Sequence, residues 1–255
     1  IREVIVRVLT LGTYVLYGYN ILNFDQFIIA FCAVYGVAAI VNIVYLVTLK
    51  DFSFKPNFSK IEPHLKKEFL FYSLFIITTT LVGAITPSLN TFFISAKMGL
   101  VFTGIFSIAN YITAFIEIPY RSLGAIVQPQ ISQAIKDQDI KTTNYLCQGV
   151  ALHQLLAGSF IILAIWINID LLFAIMPKGE EYAAGKYVVL ILGFSRLFSA
   201  TYSVGTTVLG YSKYYYYSLF FTILLTGLAI SLNLIFIPTM GIDGAAMASL
   251  ISTVV

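Results

Sequence analysis

The sequence predicts an all-α fold, a polytopic bundle of transmembrane helices, and three observations carry the prediction. Charged residues make up only 11% of the chain and hydrophobic residues 59%, against about 25% charged in an ordinary soluble domain. The apolar residues fall in long uninterrupted runs, and about 20 such residues let a helix cross the hydrocarbon core of a bilayer. No ten-residue dyad repeat of the kind a membrane β-barrel shows is visible, so helices are left to satisfy the backbone in lipid.

Seven spans are legible, at about 4–22, 26–48, 68–94, 101–126, 145–173, 186–209 and 214–237, and an eighth opens at about 242. The chain starts at Ile1 with no signal-peptide pattern and stops at Val255 inside an apolar run, so both ends read as cuts through a longer protein. Arg2 and Arg7 open the first span. After the second comes the longest polar stretch, 50–67, with Pro56, Pro63 and five lysines: Lys50, Lys55, Lys60, Lys66 and Lys67. It reads as a linker between two bundles, entering an amphipathic turn at the inner interface. Lys136, Lys141 and Lys213 fall on the same side as these lysines. The other side has Lys97, Lys178 and Lys186, with Glu180 and Glu181 nearby. The positive-inside rule therefore places loops 50–67 and 128–143 in the cytoplasm, and with them Asn57-Phe58-Ser59, a chance match to a glycosylation sequon. The aromatic run Tyr214–Tyr217 sits at the inner end of a span, where a membrane-interface belt is expected. A platform for stacking a saccharide is the other reading.

Polar residues inside the spans carry the functional signal. Thr103, Ser107, Asn110, Ala114, Glu117 and Arg121 recur in steps of four and three along the fourth span, which puts them on one helix face. Glu117 and Arg121 are four apart and able to pair. Similar stripes run through the third span (Thr79, Gly83, Thr86, Asn90), the sixth (Arg196, Ser199, Ser203, Thr206) and the seventh (Thr222, Thr226, Ala229, Asn233). One such stripe is ordinary helix–helix glue. Four of them suggest a bundle around a water-accessible, cationic cavity. Arg196 sharpens the point, because it lies in the middle of the apolar stretch 187–209. A charge there costs roughly 2.5–3.5 kcal/mol on insertion scales unless it meets a cavity or a partner. Pairing with a neighbouring helix is the alternative to a functional role. In the opening of the eighth span, Gly244 and Ala248 form a small-xxx-small pair that reads as packing. Pro87 and Pro119 lie inside the third and fourth spans and are expected to bend them.

Other chemistry finds no support. Cys32 and Cys147 sit apart in apolar helices, and His64 (a loop residue on this reading) and His153 (inside a helix) have no ligand-spaced neighbours, so no metal or cofactor is expected. The net charge of +3 gives no case for nucleic acid. There is no nucleophile elbow, phosphate-cradling glycine loop or HExxH, and the outer loops are short, so an enzyme is not expected.

Several runs carry a family resemblance: Gly104-Ile105-Phe106-Ser107-Ile108-Ala109, then Glu117-Ile118-Pro119-Tyr120-Arg121-Ser122-Leu123, then Ile126 and Pro129. Together with Ser212-Lys213-Tyr214 and Gly241-Ile242-Asp243-Gly244-Ala245-Ala246, they resemble the bacterial polysaccharide-biosynthesis exporters. These are the flippases for lipid-linked O-antigen and capsule oligosaccharides, in the superfamily that holds the multidrug and toxic compound extrusion (MATE) transporters. The resemblance implies a MATE-like two-lobe fold, with 1–49 as the last two helices of the first lobe, 50–67 as the linker and 68–255 as most of the second. It implies a multi-pass protein of the inner membrane that carries a polyprenyl-pyrophosphate glycan outward by alternating access, driven by an ion gradient. Its partners would be the lipid-linked oligosaccharide, membrane lipids and polysaccharide assembly proteins. Arg196 would meet the pyrophosphate, with Arg121, Asn110, Asn90, Ser199 and Ser203 around the substrate and Glu117 as the coupling candidate. Members of this family often carry Asp where Asn90 stands, and Asn takes up no proton. A cation-coupled multidrug exporter of the same fold is the near alternative, for which Glu117 would be the acid. A glycan polymerase or ligase would need a large outer loop, and a scaffold would gain nothing from a mid-span arginine.

Overall fold

A computed structural model describes residues 2–48, 63–212 and 214–255. These residues are almost wholly helical, with no strand among them. The chain divides into two compact units, Ile1–Pro63 and His64–Val255, and the boundary falls inside the stretch read as a linker. Lys50, Lys55, Lys60 and the Asn57-Phe58-Ser59 sequence lie outside the described residues, as does Lys213.

The first unit holds α1 (Arg2–Gly18) and α2 (Phe24–Thr48). They pack through a file of rings: Tyr14 and Tyr17 of α1 lie 5.5 and 4.9 Å from Phe27 of α2. The first span was expected to run to about residue 22. It ends at Gly18 because Asn20 adopts a left-handed conformation (φ 56°) that a helix does not accommodate.

The second unit contains α3 (Pro63–Met98), α4 (Leu100–Thr113), a 3-10 turn (Ala114–Glu117), α5 (Ile118–Lys136), α6 (Ile140–Ile175), the short α7 (Gly179–Tyr182), a second 3-10 turn (Ala183–Gly185), α8 (Lys186–Tyr211) and α9 (Tyr216–Val254). Six helical segments among the described residues are long and apolar enough to cross a membrane: Phe24–Thr48, His64–Met98, Leu100–Lys136, Ile140–Ile175, Gly179–Tyr211 and Tyr216–Val254. Their outward faces carry large apolar side chains such as Phe160 and Ile167, more than 70% exposed. Water would not support such a surface and lipid does. The protein is a multi-pass membrane protein.

In the second unit, three features differ from the sequence expectation. The helix of α3 already begins at Pro63, so His64, Lys66 and Lys67 are helical rather than linker residues, and His64 Nε2 lies 3.6 Å from Glu68 Oε1. Proline is well suited to a first turn, where its missing N–H has no helical partner in any case. The loop expected at 128–143 shrinks to Asp137–Asp139, since α5 runs to Lys136 and α6 starts at Ile140. Gln, Ala, Ile and Lys are adequate helix formers and carry the helix on past its apolar part. Asp139 caps α6, accepting from the Thr142 amide at 3.1 Å and the Thr142 hydroxyl at 2.6 Å. The hydroxyl bond, then the amide bond, hold this carboxyl below its ordinary value. The cap is therefore retained above the usual carboxylate range and lost as pH falls through the lowered value.

The third difference is in α9, where the seventh and eighth spans form one element broken at Gly241 (φ 63°, ψ −135°). The break is a hairpin. Asn90 of α3 bonds Asn233 on one side of it and Ser249 on the other, each eight residues from Gly241. A Cβ on Gly244 would collide with the carbonyl oxygen of Phe236, so the second arm folds back on the first at backbone contact. Gly241 supplies the positive φ, and Gly244, Ala245, Ala246 and Ala248, all buried, supply the close approach. The main core lies where this hairpin meets the middle of the bundle, around Ile94, Phe106, Ile169 and Val188, all fully buried.

Gly244→Ala is expected to lower stability by about 1–3 kcal/mol, since the added methyl forces the two arms apart. Gly83→Ala, in open space within α3, is expected to be neutral or stabilising by up to about 1 kcal/mol. Melting temperatures of the two purified variants in the same detergent check the contrast.

Candidate functional site

The site begins with a missing hydrogen. Pro119 has no amide proton, so the Phe115 carbonyl lacks the donor an α-helix would offer it. Ile118 N–H takes that carbonyl instead, one residue short of the α-helical spacing, and residues Ala114–Glu117 tighten into a 3-10 turn. The fourth span is thus α4 and α5 joined at an irregular turn, and Glu117 is that turn's last residue. Pro87, by contrast, sits inside α3 without interrupting it.

The carboxylate of Glu117 lies between two guanidiniums. Arg196 Nη1, from α8, donates to Oε1 at 2.5 Å, and Arg121 Nη2, one turn along α5, donates to Oε2 at 2.9 Å. Arg196 Nη2 also donates to Asn110 Oδ1 at 3.3 Å, a long bond. The Glu117 side chain is 16% exposed, Arg196 30% and Arg121 69%. Two permanent cations thus face one anion, leaving a net charge of +1 at a half-open position in an apolar bundle. The recorded bonds use each terminal nitrogen of Arg196 once, and a guanidinium carries five N–H donors. The cluster has the means to bind a further anion, because spare donors and surplus positive charge coincide at a place with partial access.

Four of the residues expected at a site (Arg196, Glu117, Arg121 and Asn110) therefore form one network. The other three do not join it. Asn90 donates to Ser249 Oγ at 2.7 Å and accepts from Asn233 Nδ2 at 2.7 Å, between α3 and α9. Thr86 and Thr226 meet one turn away at 2.8 Å, so the stripes of the third and seventh spans face each other. Ser199 is exposed on α8, and the Ser203 hydroxyl bonds back to the Ala200 carbonyl at 2.7 Å. The stripes anticipated around one cavity resolve into two contacts, a neutral one between α3 and α9 and a charged one between α4–α5 and α8. Two voids in the second unit measure about 10 Å³ each and are lined by mostly apolar side chains, Ile116 among them in one and Tyr120 in the other. Each is at most the size of one water.

Gln154 of α6 escaped the sequence reading. It is fully buried, its Nε2 donates to the Ile116 carbonyl at 2.9 Å, and its Oε1 has no partner among the described residues. The available signal was an amide in the middle of an apolar run. It was masked by its neighbour His153, which is exposed and bonds only to the Gly149 carbonyl of its own helix among the recorded contacts. Near the end of the same helix, Lys186 of α8 bonds both oxygens of Asp170 at 2.7 Å and lies 5.5 Å from the Trp166 ring. Among the described residues no group of three or more His, Cys, Asp and Glu side chains is placed to hold a metal ion.

Comparison of the chain with protein-family models, with curated proteins and with solved structures finds no match.

Glu117→Gln is expected to cost about 1–3 kcal/mol, because it removes the charge that answers Arg196. Arg121→Ala, at an exposed end of the same network, is expected to cost about 1 kcal/mol or less. Thermal unfolding of both variants in detergent ranks the two bonds; equal losses would contradict the central place given to the Arg196 contact.

Proposed function

We propose that this membrane protein is a flippase that moves a polyprenyl-pyrophosphate-linked oligosaccharide across the cytoplasmic membrane by alternating access. The observation that carries this reading is the cationic cluster. Arg196 stands mid-span, half-exposed, and shares its carboxylate partner, the only one among the described residues, with a second arginine. An arginine in a span is costly to insert and marks a substrate or ion pathway by default. A guanidinium forks onto phosphate oxygens with two parallel bonds, so a diphosphate is the chemistry this cluster fits. The motif resemblance to polysaccharide exporters supports the same class, and with it a MATE-like two-lobe arrangement, an inner-membrane location and work alongside polysaccharide assembly proteins.

On this reading no bond is made or broken. Arg196 and Arg121 draw the pyrophosphate head toward the bundle, Asn110 steadies the Arg196 plane, and Glu117 supplies the anion the arginines hold when no substrate is bound. Glu117 is also the residue through which an ion gradient would act. A cationic-drug exporter of the same fold would need a free acid, and both Glu117 oxygens already hold arginines.

The test uses the full-length gene in its host. Deletion is expected to accumulate lipid-linked oligosaccharide on the cytoplasmic leaflet and to deplete surface polysaccharide. Arg196→Ala is expected to abolish export at normal protein level, and Arg196→Lys to restore it in part, since an ammonium keeps the charge and loses the fork. Wild-type export by Arg196→Ala would sink the role given to that residue. Deletion that alters sensitivity to cationic drugs, with no lipid-linked oligosaccharide accumulating, would replace the flippase reading by the drug-exporter one.

A further inference from the structure

We infer that Gln154 is a positioning residue for the cationic cluster: its side-chain amide clamps the 3-10 turn so that the Glu117 carboxylate stays between Arg196 and Arg121. The inference rests on the reading that this cluster meets the substrate. Its structural half stands apart from that reading.

The contact is specific in a way that ordinary helix glue is not. The carbonyl that Gln154 grips belongs to Ile116, and that carbonyl is one half of the peptide group whose nitrogen is that of Glu117. Holding the oxygen holds the plane from which Glu117 departs. The turn needs such a hold, because Pro119 has removed the amide that would have kept it in α-helical register. Gln154 reaches the turn from α6, 38 residues away in sequence, so the clamp is tertiary.

The surroundings are cut to fit the amide. Gly158 lies one turn along α6, and a Cβ there would come within 3.2 Å of Gln154 Nε2, within 3.4 Å of Ile116 Cγ2 and against Leu197 Cδ1. Leu197 is the residue after Arg196. The missing side chain at Gly158 therefore lets α6, the turn carrying Glu117 and the part of α8 carrying Arg196 meet at one point. The amide does this at the expense of its own oxygen, since Oε1 is buried without a partner among the described residues. An apolar side chain of the same size would remove the unpaired oxygen, but it would also remove the donor that the Ile116 carbonyl uses.

A double-mutant cycle on the full-length protein tests the inference. Gln154→Met keeps the volume and removes the donor; it is combined with Glu117→Gln, and each variant is measured for melting temperature in detergent and for export in the host. Glu117→Gln alone is expected to lower the melting temperature by about 2–12 °C. Once Gln154→Met has released the turn, adding Glu117→Gln is expected to lower it little further, and export is expected to fall roughly tenfold in Gln154→Met with no additional loss in the double variant. Melting shifts that simply add would overturn the inference, because a residue that only fills the core does not change what Glu117 contributes. Coupled melting shifts with export unchanged would keep the positioning role and overturn the flippase reading of the cluster. Should Gln154→Met fail to fold, Pro119→Ala reaches the same turn from the other side by restoring a donor to the Phe115 carbonyl. It is expected to show the same non-additivity with Glu117→Gln, and additivity there overturns the inference equally.

Discussion

A guanidinium in the middle of an apolar bundle has to be answered, and the local structure of the second unit is arranged around the answer. Arg196 carries a guanidinium, and its position in α8 leaves it far from either end of the span. Its counter-charge comes from a different helix, and that helix is irregular at the point of contact. Were α4 and α5 one straight helix, the residues after Thr113 would continue its regular 100° rotation. The 3-10 turn changes that rotation, and the Glu117 carboxylate reaches Arg196 from it. The proline that disrupts the helix and the glutamine that takes up a carbonyl of the disrupted turn both serve this one ion pair.

The two polar contacts between helices differ in kind. Between α3 and α9 the groups are neutral: threonine to threonine, asparagine to asparagine and serine. Such bonds in bilayer proteins average about 0.6 kcal/mol each, because the separated helices also find partners. Between α4–α5 and α8 the groups are charged, and separation would leave an arginine without its anion. The neutral contact suits an interface that stays packed. The charged one stores positive potential at a place partly open to its surroundings, and only that contact has an unbalanced charge to offer a ligand.

Much of the fold was legible because lipid imposes a simple demand: every backbone group must be satisfied within its own helix, so long apolar runs map onto spans. The ends were less legible, because hydropathy sees the lipid boundary and not the helix boundary. The segment from Gln128 to Lys136 is polar enough to read as loop and still continues α5. Within the site, the Glu117–Arg121 pair could be read directly, four residues apart on one helix. The Glu117–Arg196 pair spans 79 residues, and no periodicity carries that information. Asn90 shows the converse. Its stripe was correctly seen as a polar face, but a polar face does not say whether it meets another helix or a ligand. Gln154 and His153 differ by one position, about 100° of rotation on a helix, and only packing reveals that the first is buried and the second exposed.

The hairpin at Gly241 carries a consequence for how the chain is made. Asn90 finds its partners on the two arms of α9, 143 and 159 residues later in the sequence. At about 5–20 residues per second of synthesis, α3 enters the membrane on the order of ten seconds before those partners exist. During that interval its amide has to be met by water, by lipid headgroups or by the insertion machinery. An element translated long after α3 is thus the one that supplies its amide with partners, and α3 settles only once the ribosome has passed Ser249.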